Sequence, residues 1–118
     1  MRRLLIGCLL VLILLASVGC GPYKPKVGHT VRVNCWRPEF AGMWIEDGNI
    51  VLVDQVDPLG NIVGKIPCGT VVTIIEIDEG YWGGNESYFV VPLDKELPSG
   101  WICHLVAEDF IRFEEYKQ

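Results

Sequence analysis

The chain has 118 residues, half of them hydrophobic, with ten basic against fifteen acidic side chains and a formal net charge of −5. A chain of this length is one domain's worth of sequence, and its acidity argues against nucleic acid, where neutralising phosphates supplies most of the affinity. The apolar content is uneven. Met1, Arg2 and Arg3 lead into an uncharged run over residues 4–18, closed by Ser17-Val18-Gly19-Cys20. A basic head, an apolar middle and small residues at the exit are the layout of an export signal.

With Cys20 at its end, the segment resembles a bacterial lipoprotein signal peptide. The resemblance implies that residues 1–19 are the signal, that the cut falls between Gly19 and Cys20, and that the Cys20 thiol carries fatty acyl chains into a membrane. Ser17 departs from the family's preferred leucine at that position. An uncleaved transmembrane helix and a plain signal peptide are the alternatives, although Ser17, Gly19, Gly21 and Pro22 are poor helix material. All three place residues 21–118 outside the cytoplasm, because the arginine pair stays inside. Gly21, where some bacteria use aspartate for inner-membrane retention, points to an outer membrane or cell surface.

Removal of Arg2 and Arg3 leaves eight basic side chains and a formal charge of −7 on residues 20–118. Cys8 is lost with the signal, so Cys35, Cys68 and Cys103 remain in an oxidising compartment, where at most one intramolecular bridge can form among three thiols. No Cys-x-x-Cys or close Cys/His pair suggests a metal site, and no cofactor is expected.

Residues 20–28, with two prolines and two lysines, form a lipidated cysteine and a short tether. Strands are expected over residues 29–35, with Val31, Val33 and Cys35 on one face, over 49–53, and over 71–77, the strongest of them. Further strands follow over 88–93, 101–106 and 111–113, separated by turn sequences such as Asp57-Pro58-Leu59-Gly60. No segment sustains a helical period, so residues 29–118 read as a small antiparallel all-β barrel of five or six short strands.

Gly64-Lys65-Ile66-Pro67-Cys68-Gly69-Thr70 and the run after it resemble the diverging turn and central strand of a bacterial Src-homology-3-like (SH3-like) domain. Gly100-Trp101-Ile102 resembles its late Gly-Trp-aliphatic strand, and Ala107-Glu108-Asp109-Phe110 stands where the family has a 3₁₀ turn. Two departures are a long stretch from Trp36 to Ile66 and a small insertion near Trp82. The resemblance implies a binding module whose ligands lie across aromatic side chains: Trp101 and the segment from Trp36 through Trp44 to Asp47 would line the groove, with Tyr81 and Trp82 on the opposite rim. Glu39, Glu46 and Asp47 would meet a cationic ligand group. It also implies a Cys35–Cys103 bridge, since the family topology brings the opening strand near the late one.

Catalysis has little support. His29 and His104 are the only histidines, and Cys103 and His104, neighbours on an expected strand, would point to opposite faces. The expectation is a lipid-anchored, non-enzymatic SH3-like module that binds cell-wall peptide or an envelope protein. The alternatives are a structural or assembly lipoprotein subunit and a small cysteine-dependent hydrolase.

Overall fold

Runs of β-branched residues set the strands, and their alternation sets which side faces inward. The computed structural model describes residues 23–80 and 85–116. In chain order the strands are β1 (Thr30–Cys35), β2 (Ile45–Glu46), β3 (Asn49–Val53), β4 (Ile62–Pro67), β5 (Thr70–Asp78), β6 (Ser87–Pro92), β7 (Gly100–Ile102) and β8 (Ile111–Glu115). A one-turn helix α1 (His104–Ala107) precedes β8, and two 3₁₀ turns, Pro38–Phe40 and Gly42–Trp44, follow β1.

The strands form one antiparallel sheet in the order β2-β3-β7-β6-β5-β1-β8, with β4 on the other side of β3. The sheet curls into a half-barrel, an all-β SH3-like fold. A register shift between Ile74 and Glu76, opposite Val90 and Phe89, leaves Ile75 half-exposed and adds twist to β5. Inside the curl lie Val31 and Val33 of β1, Ile50 and Leu52 of β3, Val72 and Ile74 of β5, Val90 of β6, and Ile102 and Ile111. This is the inward set that the alternation in β1 and β5 demands.

Two expectations give way. Eight strands stand among the described residues where five or six were expected, because the long stretch after Trp36 is not a bare loop. It folds into β2 and the β3–β4 hairpin, which joins the barrel through the Val53–Trp101 pairing. The strand expected over residues 101–106 stops at Ile102, and α1 begins at His104.

The disulfide also differs from expectation. Cys35 is bonded to Cys68, with Cα atoms 5.6 Å apart, and Cys103 is a buried free thiol. Sheet order explains why Cys35–Cys103 does not form. Cys103 follows β7, and β6 and β5 lie between β7 and β1; at about 4.8 Å per strand that separation exceeds disulfide reach. Cys68 instead sits in the turn between β4 and β5, where the Gly69 N–H donates to the Val33 carbonyl at 2.6 Å and the Cys68 N–H to the Gly48 carbonyl at 2.8 Å. That turn delivers Cys68 to the end of β1.

Candidate functional site

The end of β1 and the start of β8 build a shallow groove on the outer face of the sheet. In the β1–β8 register Asn34 pairs with Arg112 and Cys35 with Ile111, so Arg112 faces outward with Asn34 while Ile111 faces the core. The Trp36 N–H donates to the Phe110 carbonyl at 2.7 Å. This continues the register by one residue and puts the Trp36 side chain diagonal to Arg112, within reach of a long side chain. The bridge at Cys35 and that hydrogen bond fix the backbone on both sides of the tryptophan.

Arg37 completes the arrangement at a local conformational cost. Its backbone is left-handed, φ 51 and ψ 52, immediately before Pro38; both features are unfavourable for a side-chain-bearing residue. The 3₁₀ turn over Pro38–Phe40 follows, with the Phe40 N–H donating to the Arg37 carbonyl and the Ala41 N–H to that of Pro38, each at 3.1 Å. Buried Ala41 seats this segment on the core.

The result is a tryptophan flanked by two cations. The Arg37 guanidinium carbon lies 5.5 Å from the Trp36 ring centroid and that of Arg112 lies 5.3 Å from it, both within cation–π range. Trp36 is 45% exposed and Phe40 70% exposed, and Asp109 and Phe110 complete the groove wall. Arg112 spends one N–H on the Ile111 carbonyl at 3.2 Å. Among the described residues the single ion pair is Lys65–Glu46, so neither groove arginine is matched to a carboxylate. Stacked guanidinium groups keep their N–H edges available, and that edge geometry suits a carboxylate.

Of the residues expected at the site, only Trp36 lies in this groove. Trp44 is partly buried and packs against the core from the second 3₁₀ turn. Trp101 pairs with Val53 and Phe89 and meets the Phe89 ring edge-on at 5.5 Å. Asp47, exposed and left-handed at φ 52, makes the β2–β3 turn, its carbonyl accepting from Asn49 Nδ2 at 3.2 Å. Glu46 is engaged by Lys65 Nζ at 2.7 Å, and Glu39 is exposed in the first 3₁₀ turn. Tyr81, Trp82 and Cys20 lie outside the described residues. Arg37 and Phe40 fall within the Trp36-to-Asp47 segment that the resemblance placed along a groove, though neither was singled out, while Phe110 and Arg112 were not anticipated.

The Cys103–His104 geometry needs correction too. Because the strand ends at Ile102, the two side chains are not on opposite faces: Cys103 Sγ lies 3.8 Å from His104 Nδ1. Cys103 is only 1% exposed, and the His104 backbone N–H donates to Ser87 Oγ at 2.9 Å. A thiol so enclosed behaves as a small core group. Among the described residues no cluster of three or more His, Cys, Asp or Glu side chains is placed to hold a metal.

No protein-family model matches the chain, and no curated protein or solved structure is significantly similar to it.

Proposed function

We propose that this chain is a lipid-anchored, extracytoplasmic binding module that recognises a carboxylate-bearing peptide, of the cell wall or of an envelope protein, without catalysis. The observation that carries the reading is Trp36 held half-exposed between Arg37 and Arg112, beside exposed Phe40. An aromatic floor takes the apolar part of a peptide, and two unmatched guanidinium groups take its carboxylate. The anchoring half of the proposal rests on the signal layout ending at Cys20. A cysteine hydrolase is disfavoured by the enclosure of Cys103.

Sedimentation with purified peptidoglycan tests the ligand. The native protein is expected to be retained above a control β domain, and Trp36→Ala and the double variant Arg37→Ala/Arg112→Ala to lose retention while keeping the native circular dichroism spectrum. Equal retention of the native protein and both variants removes the groove from the reading. No retention of the native protein removes cell-wall recognition and leaves an envelope protein as the ligand. The second reading, an assembly subunit, is favoured by Leu59, Ile62 and Val63, all exposed on or beside β4, whose one strand partner among the described residues is β3.

A further inference from the structure

The tether is built into the fold. Pro25 is buried, and Tyr23 packs against the core at a cleft formed by β6, α1 and β8, lined by Glu86, Tyr88, Glu108, Arg112 and Phe113. The Tyr23 hydroxyl shares a 2.6 Å hydrogen bond with His29 Nδ1, and the two rings stack 6.2 Å apart. The chain then runs into the sheet: the Gly28 N–H donates to the Ile74 carbonyl at 2.7 Å, and the Ile74 N–H to the His29 carbonyl at 2.9 Å. From Tyr23 onward no free linker remains.

This inference rests on Cys20 being the lipid-bearing residue. Only Gly21 and Pro22 separate Cys20 from Tyr23, and the three chain steps between the two cover at most about 11 Å when extended. We propose that the barrel does not swing on its anchor but sits against the phospholipid headgroups through the surface around Tyr23, with Lys24 and Glu108 facing the bilayer and Arg112 at the edge of that face. Charge supports this face. The anchored chain carries −7, whereas the Tyr23 cleft balances Lys24 and Arg112 against Glu86 and Glu108, so a negatively charged leaflet repels this face less than it repels the chain as a whole. Arg112 borders both this cleft and the Trp36 groove, which puts the groove at the membrane-proximal end of the molecule.

The test uses the mature protein, purified from membranes and reconstituted in phosphatidylethanolamine–phosphatidylglycerol vesicles containing nitroxide-headgroup lipid. A fluorophore is attached at Glu108→Cys or, as the distal site, at Lys95→Cys. The distal site is set by β6, which leads from Tyr88 at the cleft to Pro92, roughly 13 Å away at strand spacing, and Lys95 stands in the turn that follows Pro92. Severalfold stronger quenching at position 108 than at 95 is expected, and Tyr23→Ala should reduce that contrast while the protein still floats with the vesicles. Equal quenching at the two sites overturns the seating. Intact mass separates the two ideas: an acylated Cys20 start with equal quenching sinks only the seating, and a retained Met1 sinks the anchor and the seating together.

Discussion

Arg37 joins local strain to the proposed chemistry. A non-glycine residue in the left-handed region is disfavoured by about 1 kcal/mol, and here the following Pro38 adds to the restriction. Arg37→Gly relieves that strain but adds roughly 0.4–1 kcal/mol of unfolded-chain entropy, so the two effects nearly cancel. Urea denaturation is therefore expected to show a midpoint close to that of the native protein, while peptidoglycan retention falls severalfold. A large loss of stability would mean that the Arg37 side chain holds the fold rather than a ligand. Tyr88 carries a different prediction. Its phenol is buried and donates to Glu86 Oε2 at 2.7 Å, and burial first, then that hydrogen bond and the Glu86 charge, raise its pKa well above the ordinary 10.0. The folded state thus keeps a proton that the unfolded state releases. The stabilisation is complete below the unfolded phenol pKa and is lost as pH rises towards the folded one. Between about pH 10 and about pH 12 the native stability should fall more steeply than that of Tyr88→Phe. Parallel slopes would refute the assignment.

The Cys35–Cys68 bridge ties β1 to the turn between β4 and β5. Its sequence separation of 33 residues corresponds to roughly 4 kcal/mol of loop-closure entropy in the unfolded chain. Cys35→Ala/Cys68→Ala is expected to lose a stability of that order, measured by denaturant titration, and Cys103→Ala much less. Non-reducing peptide mapping should recover residues 35 and 68 in one linked product, with Cys103 alkylated only after unfolding. The central strands were legible from the sequence because β1 and β5 are rich in β-branched residues, with Val31 and Val33 of β1 and Val72 and Ile74 of β5 buried at alternate positions. Gly100 of the Gly-Trp motif was legible as a motif, and its physical reason appears only in the fold: a Cβ there would lie 3.0 Å from both Leu52 Cβ and Val63 Cγ2. The bridge was not legible. Pairing depends on which strands lie between two cysteines, and β4, whose Ile62 and Val63 are both exposed, shows no alternation to reveal it. The groove was half legible. Trp36 stood out by type, but Arg112 reaches it only through the β1–β8 register, about seventy-five residues away in sequence.

At the scale of the whole molecule, residues 23–28, which composition reads as part of a tether, pack against the barrel. A lysine-rich and proline-rich segment reads as a linker because it lacks periodicity, yet its Tyr23 ring covers core residues and Gly28 and His29 each bond to Ile74 in β5. Losing a partly buried tyrosine, a buried proline and a backbone hydrogen bond together amounts to several kcal/mol, a large part of what so small a domain has. A chain starting at Tyr23 should therefore unfold at nearly the same urea concentration as one starting at Cys20. A chain starting at His29 should unfold much earlier, and the His29 Nδ1 and Ile74 carbonyl would then face solvent. Amide exchange gives an independent readout in the intact protein: the Gly28 N–H should be protected along with Ile74, which a free tether would not allow. If the His29 start proves as stable as the Tyr23 start, the strap contributes nothing to the barrel. The seating proposed for the barrel would then lose its support.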